Sequence, residues 1–198
     1  MAEINRHLRF QKPILLASGS PRRLDLLQKM DIEVRQIKLD YHENIEPDWA
    51  LEEIAELLAV QKWAQALPNL RNNEILVTAD TIVIHNDQVL TKPKDAEEAH
   101  QFLLAMSDQS HVVMTGIKIG NREFASSFTD TTKVTFSPLS EKDIQYYIQH
   151  YSPFDKAGGY GIQEWIGWTY IHSIEGSFSN VMGLPTQKIH QWLSQYAE

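Results

Sequence analysis

The chain contains no cysteine in its 198 residues. That excludes disulfides, thiolate metal sites and cysteine nucleophiles, and it fits a reducing, cytoplasmic setting. Long apolar runs are missing too. None reaches the length needed to cross a bilayer, and the N-terminal residues show no signal-peptide apolar core, so no membrane partner is expected. Positive charge is in short supply: 18 Lys and Arg stand against 26 Asp and Glu, a net charge of −8. Such a chain lacks the broad basic surface that nucleic acid requires. A small polyanion stays open as a ligand, because it needs only a local cluster of Arg and Lys inside a cleft. Internal repeats, low-complexity stretches and long linkers are absent as well. What is present is 42% hydrophobic residues, enough for a core. The length fits a single domain over 1–198, with 1–12 read as a polar, basic N-terminal arm.

The densest signal is Leu15 to Leu27, Leu-Leu-Ala-Ser-Gly-Ser-Pro-Arg-Arg-Leu-Asp-Leu-Leu. An apolar strand, Ile14–Ala17, runs into a small-residue turn and then a helix, Pro21–Met30. Ser20 suits the N-cap and Pro21 the first helical position. The free N–H groups of a helix start attract an anion, and Arg22 and Arg23 add fork-shaped cationic donors. An ordinary strand-to-helix turn with two solvated arginines reads the same way. Val34–Leu39 is the second expected strand. Pro47–Leu67 is the clearest helix, with Leu51, Ile54 and Leu58 on one face. Ile75–His85 is a buried strand turning at Asn86-Asp87 into Val89-Leu90. Asp95–Met106 is a helix with a capping box. His111–Ile119 and Glu123–Phe136 form a hairpin turned at Gly120-Asn121. Ser140–Tyr151 is a helix, Trp168–Ile174 a late strand, and Thr186–Tyr196 the last helix. Alternating strands and helices, with hairpins among them, predict an α/β fold with a mixed sheet.

Asp80 stands out within Ile75-Leu-Val-Thr-Ala-Asp-Thr-Ile-Val-Ile84. A carboxylate in so apolar a strand is costly unless bonded, paired or metal-bound. Thr78 and Thr81 beside it make a polar notch; a structural Asp held by backbone N–H groups is the alternative. Lys62 falls on the line Ile54, Leu58, Lys62, turned toward the apolar face or snorkelling at the helix end. Lys92-Pro93 follows a hairpin strand and reads equally as an exposed loop. Pro153-Phe-Asp-Lys-Ala-Gly-Gly-Tyr-Gly-Ile-Gln163 has three glycines in four residues, which lets backbone approach a ligand or take positive φ. Around it stand Asp155, Lys156 and Gln163, the last able to read a base edge with one donor and one acceptor. Gly176-Ser-Phe-Ser-Asn180 reads as a plain connection. Glu43 and Glu46, with no cysteine and no paired histidines, point to a hard cation such as Mg²⁺ or Mn²⁺ rather than zinc. The eight histidines show no metal-ligand spacing and are taken as structural. Trp165 and Trp168 read as lid or interface packing.

Taken together, Ser18-Gly-Ser-Pro-Arg-Arg23, Ala79-Asp-Thr-Ile-Val83, Lys92-Pro93, Asp155-Lys-Ala-Gly-Gly-Tyr-Gly-Ile-Gln163 and Asn180-Val-Met-Gly-Leu-Pro185 resemble the Maf proteins, in order, across about 13–195. The resemblance implies a nucleoside triphosphate pyrophosphatase. It implies a long twisted mixed sheet with flanking helices and two lobes around a cleft, similar to the inosine triphosphate pyrophosphatases. Asp80 matches the family's general base. Arg22, Thr81 and Gln163 match positions tied to substrate choice; Ser18, Arg23, Glu43, Lys62 and Lys92 match other cleft residues. Arg22, Arg23, Lys62 and Lys92 would hold the triphosphate, and Asp80 with Glu43 a divalent cation, Mg²⁺ or Mn²⁺. A homodimer is a family-level expectation. The direct Ser20-Pro-Arg-Arg23 and intact Gly159-Tyr-Gly-Ile-Gln163 favour the dTTP/UTP branch over the 7-methyl-GTP branch. The rival from another class is a nucleotide-binding protein without turnover, linked to septum formation; it would have no need of Asp80. Two residues depart from the family pattern. Thr78 replaces a usual glycine, and Glu164-Trp165 follows Gln163 where glycine is common.

Overall fold

The computed structural model describes residues 12–40 and 44–195. Among them seven strands form one mixed sheet: β1 (Ile14–Ala17), β2 (Val34–Ile37), β3 (Ile75–His85), β4 (Gln88–Leu90), β5 (Ser110–Gly120), β6 (Ala125–Phe136) and β7 (Ile171–Glu175). The order is β2-β1-β3-β5-β6-β7, with β4 also on β3. β1 pairs in parallel with β2 and β3, and every other pairing is antiparallel. The helices are α1 (Pro21–Gln28), α2 (Leu51–Ala66), α3 (Ala96–Met106), α4 (Glu141–Tyr151), α5 (Trp165–Tyr170), α6 (Phe178–Val181) and α7 (Thr186–Gln195). None of the described helices is long and apolar enough to cross a membrane.

The eleven-residue β3 organises the rest. On one edge it pairs with β5 without a break from Leu76 to Ile84. On the other edge it has two short partners, β1 opposite Ile75–Val77 and β4 opposite Val83–His85. β1 is parallel to β3 and β4 antiparallel, so both run toward the unpaired stretch between them. The loops that follow, Ser18–Ser20 and Thr91–Pro93, therefore converge beside Asp80 and Thr81.

Alternation along β3 and β5 gives the sheet two apolar faces. One is covered by α2, with Ile54, Ala55 and Leu58 against Ile82 and Met114, and Trp63 against Leu15 and Leu76. The other carries two clusters. Ile75, Val77, Ile117 and Ile119 pack under α1 and α7; Val83, Val113, Val134 and Phe136 pack under α3 and α4. Between these clusters lies the polar pair Thr81–Thr115, so the two-lobed division falls where the edge of β3 is open.

Four expectations need correction. The late strand is a helix first: Trp165–Tyr170 is α5, and the chain becomes extended only at Ile171. The aromatic and β-branched composition favours a strand, but the fully buried Ile166 docks this turn on the core, and tertiary packing outweighs propensity. α2 starts at Leu51 rather than Pro47, because Trp49 N–H closes a turn on Glu46 and Ala50 is extended. Ser20 makes no side-chain cap; instead its N–H donates to Ser18 Oγ at 3.2 Å. The 176–180 connection contains α6, capped by Ser177. The Asn86-Asp87 turn is as expected, with both residues at positive φ. Most of the arm at 1–12 lies outside the described residues.

Candidate active site

The open edge of β3 lies in a cleft of about 430 Å³. Its walls include Ser18, Arg22, Arg23, Lys62, Asp80, Thr81, Lys92 and Gln163, eight of the nine residues singled out from sequence. The ninth, Glu43, lies outside the described residues. Lys38, Asp155, Lys156 and Tyr160 line the cleft as well. Six cations thus face Asp80 and Asp155 in a chain whose net charge is −8. The acidic surface and the basic cleft are separate features.

Asp80 is 5% exposed and points to the α2 face of the sheet, where its Oδ1 accepts from Lys62 Nζ. Two local features bring α2 that close. Gly116 is the cross-strand partner of Asp80, and a Cβ there would collide with the Ala55 backbone. Thr78, two residues before Asp80 on the same face, donates to the Ala59 carbonyl at 2.7 Å. The first departure from the family pattern thus tethers α2 to β3. Lys62 is not a snorkelling lysine: with its side chain 12% exposed, it is held inward by a carboxylate.

Arg23 serves differently from Arg22. Its Nε donates to Gly183 O at 2.7 Å, and Nη1 to Ser18 Oγ at 3.1 Å and Ala79 O at 3.0 Å; Nη2 donates to Thr81 Oγ1 at 3.0 Å. One guanidinium therefore clamps the loop after β1, the middle of β3 and the loop before α7. The family resemblance assigns it to the triphosphate; these four hydrogen bonds are made to the protein. Thr81 passes the contact on through Thr115 Oγ1 (3.0 Å), which lies 3.1 Å from Asn180 O. Asn180 is fully buried and donates to Val113 O and Thr132 Oγ1. Read by itself its segment is a plain connection, and Asn180 enters only as the first residue of the Asn180-Val-Met-Gly-Leu-Pro185 motif; a polar amide between two turn signals is the local hint.

Arg22 reaches across the cleft mouth to Asp155, with Nη1–Oδ2 at 2.6 Å. Burial alone would raise the Asp155 carboxyl, but hydrogen bonds from Lys156 and Arg22 outweigh it and hold the group below its usual range. The glycine-rich segment forms the opposite wall. Gly158, at φ +70°, lies against Val83 and donates its N–H to Thr91 O at 3.1 Å, fixing this wall to the loop that carries Lys92. Tyr160 is buried and bonds through its hydroxyl to His111 Nε2 at 2.6 Å. Burial first, then the neighbouring His85, pushes His111 down to about 3, so it is neutral at physiological pH. Gln163 Oε1 is buried with no hydrogen-bond partner among the described residues. A buried amide oxygen left this way costs stability and waits for a donor.

The sequence model of the Maf-like protein family matches residues 13–196. The chain is 44% identical over 181 residues to a dTTP/UTP pyrophosphatase of Flavobacterium johnsoniae, covering 91% of this chain and 93% of the relative. It is 45% identical over 185 residues to a dTTP/UTP pyrophosphatase of Parabacteroides distasonis, covering 92% and 95%. The chain belongs to the Maf-like family. Among solved structures, a HAM1 protein from Coxiella burnetii aligns with a TM-score of 0.45 at 15% identity, covering 94% of this chain and 96% of that one.

Proposed function

We propose that this chain hydrolyses dTTP and UTP to the monophosphate and pyrophosphate. The observation that carries the reading is a buried carboxylate, Asp80, in a cleft whose walls carry six cations and the buried, unsatisfied amide oxygen of Gln163. The names of relatives at 44–45% identity support the pyrimidine assignment. In this reading a water oxygen attacks the α-phosphorus while Asp80 takes the water's proton. The bond from the α-phosphorus to the bridging oxygen breaks, and pyrophosphate leaves. Such transfer depends on positioning and charge stabilisation more than on covalent chemistry. Arg22, Lys38 and Lys92 would hold phosphate oxygens. Lys62 would hold the Asp80 carboxylate in place, and Arg23 would keep the walls in register. Gln163 would pair with the pyrimidine edge.

A divalent cation fits the donor chemistry. The described residues contain no cluster of three or more His, Cys, Asp or Glu able to hold an ion alone. Mg²⁺ is commonly held by one or two carboxylates plus substrate phosphates, which Asp80 and a triphosphate would supply. When bound, the ion would neutralise charge on the phosphate oxygens.

The test is a panel of UTP, dTTP, GTP, dATP and 7-methyl-GTP with Mg²⁺ or Mn²⁺, scored for pyrophosphate against orthophosphate. Pyrophosphate from UTP and dTTP, stopped by a chelator and restored by the metal, is the expected result. Faster hydrolysis of 7-methyl-GTP, or tight binding of UTP with no products, would overturn the reading.

A further inference from the structure

A glutamate directly after the base-reading amide, beside a site for a polyanion, needs a physical reason. Glu164 occupies the residue before α5, yet its side chain does not cap that helix. The carboxylate turns back instead. Oε2 accepts from the Tyr147 hydroxyl, which itself accepts the Gly161 N–H at 2.9 Å. Oε1 pairs with Lys156 Nζ at 3.1 Å. Lys156 also pairs with Asp155 at 2.7 Å, and Asp155 with Arg22 at 2.6 Å. Charges of alternating sign therefore run from α1, across the cleft mouth, to a tyrosine fully buried on α4. Burial first, and then Glu164, raise the Tyr147 phenol, so it stays a neutral donor.

The link to Gln163 is geometric. A Cβ built on Gly161 would lie 2.8 Å from Gln163 Nε2 and 2.8 Å from Glu164 Cδ. Both side chains thus fold back over the same glycine, whose backbone N–H is bonded to Tyr147. Gln163 is held from its main chain too, since its carbonyl accepts from Trp168 Nε1 at 2.9 Å. Its own side-chain oxygen has no hydrogen-bond partner among the described residues, so neighbouring atoms set where the amide sits.

We propose that Glu164 is a positioning residue for Gln163: anchored on Tyr147 and Lys156, it sets the Gly161 platform under the amide and thereby base selectivity, without touching the substrate. The proposal rests on the reading of the cleft as a pyrimidine nucleotide site. It also accounts for a carboxylate tolerated beside phosphate, because Lys156 balances its charge.

The test uses the full chain with Glu164→Ala, Tyr147→Phe and Glu164→Gln, measuring kcat/KM for UTP and for GTP alongside the melting temperature. Glu164→Ala and Tyr147→Phe remove the anchor from opposite ends. Each is expected to lower the UTP-to-GTP ratio about tenfold, equivalent to about 1.4 kcal/mol. The loss should fall on UTP. Glu164→Gln retains an oxygen for the Tyr147 hydroxyl and should keep the ratio within about threefold of the parent. A merely structural role would lower the melting temperature and both activities together, leaving the ratio unchanged, and that result overturns the proposal. If Gln163→Ala collapses the ratio while Glu164→Ala and Tyr147→Phe do not, Glu164 has no positioning role although the pyrimidine reading stands. If the parent protein itself does not distinguish UTP from GTP, the pyrimidine reading falls and takes this proposal with it.

Discussion

The two walls of the cleft are built by different physics. The wall carrying Asp80 belongs to the sheet: Asp80 is fixed by strand register, by the Gly116 approach to α2 and by the apolar packing of Ile54 and Leu58 on Ile82, which holds α2 to the same face. The wall carrying Gln163 is a loop, shaped by side-chain hydrogen bonds through Tyr147, Glu164, Lys156 and Asp155, and by Tyr160 on His111. Close packing holds a group to sub-ångström tolerance and fails abruptly when volume changes. A hydrogen-bonded loop is adjusted one residue at a time. In the proposed function this division would put the chemistry on the sheet and the recognition on the loop.

Four experiments break or sharpen the contrast. The largest effect is expected at the sheet wall. Asp80→Asn should lower kcat by about 10²–10⁴, the range for a lost general base, while the affinity for a non-hydrolysable UTP analogue changes little. Parent-like turnover in a folded variant would remove Asp80 from the mechanism. Next is Gly116→Val, which forces branched volume onto the Ala55 backbone. It should cost about 3 kcal/mol, at the upper end of overpacking, and lower kcat by moving Lys62 away from Asp80. A melting temperature equal to the parent's would mean that α2 yields more easily than its packing implies.

The third concerns pH on the loop wall. His111 is 2% exposed and its pKa is depressed to about 3, against about 6.5 when unfolded. Between those values the unfolded chain binds the proton and the folded one does not, so stability falls as pH drops below about 6.5. From pH 7 to pH 5 this group alone should cost roughly 2 kcal/mol. His111→Gln keeps an amide for the Tyr160 hydroxyl and should flatten that part of the profile. Denaturant titrations at the two pH values, compared between parent and variant, check it; identical slopes would assign the pH dependence to other groups. The smallest effect is Gln163→Ala. An unsatisfied amide costs about 1–3 kcal/mol, so the UTP-to-GTP ratio should shrink about tenfold with metal dependence unchanged. An unchanged ratio would move base reading elsewhere in the cleft.

Local pattern was enough for most elements. Ile14–Ala17, Ile75–His85, the Asn86-Asp87 turn and the helix after Asp95 follow from periodicity, caps and turn residues, because those signals act within a few residues. Asp80 was legible for the opposite reason, as a carboxylate that breaks an apolar strand. α5 was not legible: its aromatic residues favour a strand, and only the docking of Ile166 decides otherwise.

Most residues of the cleft, then, are written in the chain as five short motifs, Lys38 and Lys62 apart, and except at α5 the local propensities around them set strand, turn and helix. Which of those residues work together was decided by tertiary structure alone. Two short strands ending on the same gap in β3 bring Ser18 and Lys92 to Asp80. A missing Cβ at position 116 lets Lys62 reach the same carboxylate. The fork of Arg23 is directed at backbone and hydroxyl oxygens within the protein, and Glu164 finds a lysine and a buried tyrosine. Apart from Arg23 on Ser18 and Glu164 on Lys156, these contacts join residues well separated in sequence. Pairing energy depends on distance and desolvation, and neither exists until the sheet has closed.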